Sequence, residues 1–391
     1  MRILFSVTYF SPYVSGLTVY VERLAGEMAK LKYRVKVLCM QHENQLPATQ
    51  AAGGVGIVRA KPLLRFSKGF ISLDWLVKSW QLVSEADVVI VNLPQFEGVV
   101  PAVVAKFTGK RVVAVYHCEV VLPRGLLNQI VQAFLEISNS LSLWLSDVIV
   151  TYTKDFALHA RLLKPFLSKV IPVYPPVPPP EVDEKTKQRL YQRIGNTNIR
   201  IGLAARLAAE KGIEYVFAAI GELKLKLKTD KFKIVIAGPL DPVGEETYKQ
   251  KILSLEEKYA KHIVLLGPLT QQQIGAFYSL LDVLVLPSVN STEAFGMVQV
   301  EAMLCGIAVV ATNLPGVRIP IKRTGAGIVV PTKNATAIAE AIATVVYNQK
   351  HYKDSTRAAS GEFAITKTIR AYRKLLLFKT RLRRTTGLLY Q

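Results

Sequence analysis

The sequence predicts an α/β protein made of two parallel-sheet domains. Short apolar runs alternate with amphipathic helical segments through both halves of the 391 residues. A proline-dense stretch, Ile171-Pro-Val-Tyr-Pro-Pro-Val-Pro-Pro-Pro180, separates the halves. A strand–loop–helix–strand unit late in the second half carries Glu293 and Glu301 at the end of its first strand, where open α/β sheets bind ligands.

In the first half, residues 3–8 read as a strand. Residues 19–31 read as an amphipathic helix, because Val19, Leu24, Met28 and Leu31 recur at helical spacing. Residues 35–40, 87–92, 111–117 and 147–152 are rich in Val and Ile, which marks strands covered on both faces. Residues 122–145, which include Trp144, read as an internal helix, with a membrane-inserting loop as the alternative. Proline at the density seen here continues neither a helix nor a central strand and stiffens a connection. Residues 172–186 therefore read as a linker between an N-terminal domain, 1–171, and a C-terminal domain, 187–364.

In the second half, strands are expected at 199–204, 232–237, 263–266, 283–286, 308–311 and 327–330. Helices are expected near 214–223, 246–259 and 335–347. Two α/β halves on a short linker imply a cleft between them. Residues 365–391 are basic and amphipathic: Ile365, Ile369, Tyr372, Leu375 and Leu376 share a stripe, and no acid follows Glu362. The part up to about residue 378 reads as a closing helix. The last dozen residues, with Lys379, Arg381, Arg383 and Arg384, read as attachment to an anionic membrane surface, at about 1 kcal/mol per basic residue.

Half of the residues are hydrophobic, enough for two cores. Cys39, Cys118 and Cys305 are odd in number and far apart, so they suggest neither a disulfide framework nor a spaced metal site, as in a reducing cytoplasm. The N-terminus reads as a strand, not a signal peptide, and no apolar run reaches the roughly 18 residues of a transmembrane helix. The net charge of +21 fits nucleic acid, anionic lipid or a phosphorylated substrate as partner. Nucleic acid has only this charge in its favour, because the chain shows no nucleic-acid module. Walker A, zinc-spacing and Gly-x-Ser-x-Gly motifs are absent, as is an Asp-x-Asp pair to hold a divalent metal, so no metal is expected. Gly53-Gly54-Val-Gly56 lacks the strand before and the helix after that a dinucleotide fingerprint needs.

The residues with chemistry concentrate at strand ends. Arg206 and Lys211 follow the strand 199–204 and supply two cations for a diphosphate. Phe295-Gly296-Met297-Val298 opens a helix whose N–H groups suit an anion. Glu293 precedes that helix and Glu301 lies about two turns on, roughly 12 Å along an axis of ~1.5 Å per residue. A nucleotide-sugar has that layout. His117 ends a strand of the first half and is expected to face the cleft, and Gly16 permits close backbone approach to a ligand.

In their order and spacing these segments resemble a retaining GT-B glycosyltransferase of glycosyltransferase family 4, over nearly the whole chain. The resemblance rests on Tyr9-Phe-Ser-Pro-Tyr-Val-Ser-Gly16, His117, Arg206 with Lys211-Gly212, Ile236-Ala-Gly238, Leu266-Gly267, residues 282–288 and Glu293-x7-Glu301. It implies two Rossmann-like domains facing across a cleft, with the C-terminal helix closing back toward the N-terminal domain. It implies a UDP- or GDP-sugar donor held mainly by the second domain, with Arg206 and Lys211 on the diphosphate, Glu301 on the ribose and Glu293 on the transferred sugar. Gly267 to Leu269 would border the base, and His117 and the Gly16 loop would line sugar and phosphate. The implied mechanism is front-face departure of the nucleoside diphosphate, with His117, Glu293, Arg206 and Lys211 as the catalytic set and no cofactor. The acceptor is expected to be a glycan or a lipid-linked sugar of the cell envelope, met by a cytoplasmic enzyme peripheral on the inner face of the membrane. The alternatives are a GT-B sugar-nucleotide epimerase or phosphorylase and, in another class, a basic nucleic-acid-binding protein. The opening loop departs from the family pattern with Ser15-Gly16 where two glycines are common, and Cys118 follows His117 where a small polar residue is usual.

Overall fold

The structure is a computed structural model that describes residues 1–66, 69–122, 125–241 and 245–377. The chain divides into two compact units. Unit 1 takes Met1–Pro176 and the C-terminal segment from Ile365, and unit 2 takes Val177–Ala364.

Unit 1 is built on an eight-stranded sheet in the order Val170–Pro172, Val148–Thr151, Arg111–Tyr116, Val88–Leu93, Arg2–Ser6, Arg34–Met40, Val55–Ala60, Thr49–Ala52. All pairs are parallel except Thr49–Ala52 with Val55–Ala60. That antiparallel pair is a hairpin that turns on Gly53 and Gly54, both at positive φ, so the glycine cluster is a turn. The first helix is Gly16–Lys30, starting three residues before the expected 19. Ser15 causes this: it caps the helix in a reciprocal box with Thr18.

Unit 2 holds a six-stranded parallel sheet in the order Ile263–Gly267, Phe232–Ala237, Ile199–Ala204, Val283–Leu286, Val309–Thr312, Gly327–Val330. Its core joins Ile201, Leu203, Ile234 and Val285 of the sheet to Val216, Phe217 and Ile342 of the covering helices. The helix expected near 214–223 is two helices, Ile213–Ala218 and Ile220–Leu227, meeting at Ala219. The last residues of the expected linker are helical, because Asp183 caps a helix at Glu184–Ile194 through the Thr186 N–H, 2.9 Å away.

Strand order reverses once in each parallel run. In unit 1 this happens between Arg2–Ser6 and Val88–Leu93, and in unit 2 between Ile199–Ala204 and Val283–Leu286. A crevice opens beyond the carboxyl ends of such strand pairs.

The helix Ile365–Leu377 docks on unit 1, as expected of a closing helix. Ile369, Tyr372, Leu375 and Leu376 are buried, the hydroxyls of Tyr372 and Tyr20 hydrogen-bond, and Thr368 Oγ1 donates to the Tyr174 carbonyl at 3.0 Å. The basic residues from Lys379 to Arg384 lie outside the described residues.

Candidate functional site

Unit 2 brings together the residues singled out in its sequence at its strand-order reversal. Ile199–Ala204 runs out into the loop bearing Arg206, Glu210 and Lys211, and Val283–Leu286 runs out into the loop 287–296 bearing Glu293. The two loops are joined directly. Val289 N donates to the Glu210 carbonyl at 3.0 Å, and Lys211 Nζ donates to Glu293 Oε2 at 2.7 Å. Gly212 permits the approach: its φ is +62°, and a Cβ there would meet the Pro287 carbonyl oxygen at 2.4 Å.

Both cations are paired with carboxylates. Arg206 Nη2 pairs with Glu210 Oε1 at 2.6 Å, and Lys211 pairs with Glu293. Burial pushes the Glu210 carboxyl up, but Arg206 and then Lys211 more than offset it and hold it below its ordinary value. These four residues carry no net charge together, so an arriving diphosphate must share the cations with the two carboxylates. Glu293 also accepts from Ser288 Oγ at 3.4 Å, and the Ser288 carbonyl accepts from Thr312 Oγ1 at 2.6 Å.

The helix after Glu293 is Met297–Leu304, three residues later than its composition suggests. Gly296, at φ +75°, is its N-cap, and no side chain caps this end. Only Met297 to Glu301 separates the acids helically, about 6 Å of rise instead of roughly 12 Å. Gln299 N donates back to the Gly296 carbonyl at 2.9 Å, and the Met297 and Val298 N–H groups, with no side-chain cap, suit an anion. Phe295 is buried with its ring edge-on to Phe363, so only its backbone is available there, while Met297 and Val298 are half-buried. Glu301 is 6% exposed, and Oε2 accepts from the Tyr278 hydroxyl at 2.7 Å. Tyr278 thus orients the carboxylate. Gly267 ends the edge strand two places from the reversal, about 10 Å across the sheet at ~4.8 Å per strand. Its carbonyl accepts from Gly238 N, and nothing lies within 4 Å of where its Cβ would be. Half-buried Leu269 follows.

Unit 1 places its expected residues differently. His117 is 3% exposed, and both ring nitrogens are engaged. Asn92 Nδ2 donates to the Ser6 carbonyl, which turns Asn92 Oδ1 toward His117 Nε2 at 3.0 Å. Nε2 therefore carries the proton, and Nδ1 accepts from the Tyr152 hydroxyl at 2.5 Å. Burial pushes this imidazole down to about 3, so it is neutral. As the ring stands, both nitrogens are engaged by Asn92 and Tyr152 within unit 1. Gly16 is the exposed first residue of its helix. At the carboxyl edge of the sheet the structure adds a cluster absent from the sequence reading. The rings of Tyr9 and Tyr13 lie 4.5 Å apart, His42 and Phe70 pack against Tyr9, and buried Glu97 accepts from Thr8 Oγ1 at 3.1 Å. Among the described residues no group of three His, Cys, Asp or Glu side chains is placed to hold a metal ion.

Two family models match the chain. The glycosyl transferase 4-like domain matches residues 15–175, and glycosyl transferases group 1 matches residues 184–361. D-inositol 3-phosphate glycosyltransferase of Corynebacterium jeikeium is 29% identical over 165 residues, a match that takes in 42% of this chain and 38% of that relative. An uncharacterized glycosyltransferase of Methanocaldococcus jannaschii is 22% identical over 96% of this chain and 97% of its own length. Among solved structures, Anabaena HepE in complex with UDP-glucose has a TM-score of 0.76 at 16% identity, over 96% of this chain and 99% of that one. With the two models taking in most of the sequence and the GT-B neighbours matching its fold, the chain belongs to glycosyltransferase family 4, the group 1 glycosyl transferases, a family of transferase enzymes.

Proposed function

We propose that the protein is a retaining glycosyltransferase that moves a sugar from a nucleoside-diphosphate sugar to a glycan or lipid-linked acceptor in cell-envelope glycan synthesis, without a metal. The observation that carries this reading is the meeting of Arg206, Lys211, Glu293, Glu301 and an uncapped helix N-terminus at one strand-order reversal, with Lys211 and Glu293 2.7 Å apart. The diphosphate lies on Arg206, Lys211 and the helix N-terminus, where charge gathers as the glycosidic bond breaks. Glu301, oriented by Tyr278, takes the ribose hydroxyls. Glu293, as it yields Lys211 to the phosphate, turns to the hydroxyls of the transferred sugar. The nucleoside diphosphate leaves through an oxocarbenium-like transition state, and its phosphate oxygen takes the acceptor proton on the same face. HepE was solved with UDP-glucose, which supports a UDP-sugar as the first donor to try.

The Tyr9, Tyr13 and His42 cluster supports unit 1 as the acceptor side. The enzyme works at the cytoplasmic face of the membrane, a reading supported by the chain's net charge of +21. The test is titration calorimetry with UDP, GDP and ADP in EDTA, followed by NMR of the product anomer. Binding of one diphosphate in EDTA, lost in Arg206→Ala, and a retained anomeric configuration are expected. Inversion, or a strict metal requirement, overturns the mechanism. Release of free nucleoside diphosphate at full rate without acceptor selects the epimerase reading instead.

A further inference from the structure

The helix Leu126–Leu145 of unit 1 presents its apolar face to solvent. Leu127, Ile130, Phe134, Ile137, Leu141 and Trp144 recur at alternating steps of three and four, and each is between 41% and 65% exposed. They form one stripe about 26 Å long. A surface helix of a globular domain ordinarily buries such a stripe.

This helix buries instead Ser138, Asn139, Ser142 and Leu143. Hydrogen bonds fix that orientation. Ser138 Oγ donates to the Phe96 carbonyl at 2.5 Å, and Asn139 Oδ1 accepts from Gln95 N at 3.1 Å. The outward stripe is therefore specified by the fold.

Neighbouring helices also expose apolar side chains. The helix Val99–Phe107 packs beside Leu126–Leu145 and ends in exposed Phe107. On Val99–Phe107 also packs Leu73–Glu85, which leaves Leu76, Val77 and Trp80 exposed. An exposed apolar stripe of this length marks an interaction site.

The charge around the stripe indicates what covers it. Glu136 is the one charged residue of Leu126–Leu145, and Arg161 pairs with it. The adjoining segment Arg161–Lys169 contains Arg161, Lys164 and Lys169 and no acid. Lys169 Nζ sits at the Trp144 end of the helix, donating to the carbonyls of Trp144 at 2.7 Å and Ser146 at 3.0 Å. Apolar side chains with a basic rim and a terminal Trp match an anionic lipid interface. No helix among the described residues is long and apolar enough to cross a membrane. A one-faced stripe fits a helix lying in the plane of the bilayer surface.

We propose that the helix Leu126–Leu145 is a membrane-docking element that lies flat in an anionic bilayer surface, with its outward stripe among the acyl chains and Lys164 at the lipid phosphates. This deepens the membrane location given above, and rests on that reading only for its biological setting.

The test is flotation of the full chain with vesicles of phosphatidylcholine containing roughly one-third phosphatidylglycerol, compared with phosphatidylcholine alone and without nucleotide. The wild type floats with the anionic vesicles. Phe134→Glu and Ile137→Glu each weaken partitioning about tenfold or more, and Lys164→Glu weakens it in a salt-dependent way. All three positions are exposed, so melting temperature and nucleoside-diphosphate binding stay at wild-type values. Failure of the wild type to float, or undiminished flotation of both glutamate variants, overturns the proposal. So does a wild-type dimer in sedimentation that Phe134→Glu splits, which would assign the face to a second copy. Nucleotide binding is measured separately, so a failure here leaves the donor-site reading standing, and the reverse.

Discussion

Replacing Lys211 by Met tests the donor site as one electrostatic unit. Lys211 Nζ stands 2.7 Å from Glu293 Oε2, with the side chains 20% and 15% exposed. Fully exposed pairs contribute about 0.2–1 kcal/mol. Removing one partner of a buried pair costs about 3–5 kcal/mol. The pair lies between these limits, so Lys211→Met costs about 2 kcal/mol, leaving Ser288 Oγ at 3.4 Å as a side-chain donor to Glu293. Glu293→Gln costs about 1 kcal/mol, because its amide oxygen still accepts from the ammonium. Removing both charges costs less than the sum, with a coupling of about 1 kcal/mol. The assay is denaturant unfolding of the four proteins followed by hydrogen exchange in the strands of unit 2. Additivity within about 0.3–0.5 kcal/mol refutes the coupling. Lys211→Met also loses most of the thermal shift that a bound nucleoside diphosphate gives, and a full shift would take Lys211 off the phosphate.

Four further outcomes are expected. The folded His117 has a value of about 3 against 6.5 in the free residue. Since the folded value is the lower, stability is complete above about pH 6.5 and falls by about 1.4 kcal/mol per pH unit below it, toward pH 3. His117→Gln removes that slope. Melting curves from about pH 7 to 5 check this, and equal slopes in the two proteins refute it. Glu210 is held low by Arg206 and Lys211, so its contribution is present above about pH 4.5 and is lost as pH falls through its lower folded value; Glu210→Gln flattens that acid limb, and an unchanged limb counts against the pairing. Tyr278→Phe weakens nucleoside-diphosphate binding by calorimetry roughly tenfold, the worth of one hydrogen bond to a charged group, while UDP-sugar and UDP lose equally; unchanged affinity would show that Glu301 is oriented without it. Gly212→Ala meets backbone and costs about 3 kcal/mol, whereas Gly296→Ala meets the side-chain ends of Leu286 and Gln299 and costs about half that; the reverse ranking in urea midpoints refutes the steric argument.

Most of the sheet was legible, because runs such as Val283–Leu286 and Val309–Thr312 are buried along their whole length, the first apolar throughout and the second at every position but Thr312. Arg206, Lys211, Glu293 and Glu301 were legible too, since strand ends flanking one reversal must share a crevice. The helix start was not. Residues 294–296 have ordinary helix-forming neighbours, and only the positive φ of Gly296 delays the first turn to Met297. The counter-ion of Arg206 was readable in principle, because Glu210 lies four residues on, a spacing that suits ion pairs. Tyr278 was not, since it reaches Glu301 from a different helix, 23 residues away, with no local signal. The partners of His117 were not legible, because a strand-end position does not disclose that Asn92 and Tyr152 engage both of its nitrogens. The helix Leu126–Leu145 misled for the opposite reason: the habit of assigning apolar stripes to the interior fails where serines and an asparagine form the buried face.

The helix Ile365–Leu377 belongs to the unit that begins at Met1, and all of unit 2 intervenes in the chain. On the ribosome this sets an order of events. Val177–Ala364 is contiguous and has its whole sequence available once its last residue emerges. The N-terminal unit, synthesised first, must wait for Tyr372 before Tyr20 is covered. At roughly 5–20 residues per second, translating the intervening unit takes on the order of 10–40 s, during which the nascent N-terminal domain lacks the helix that covers Tyr20. Chaperone dependence should therefore concentrate in that interval, and nascent chains arrested just before residue 365 should be captured by holdases far more than completed ones.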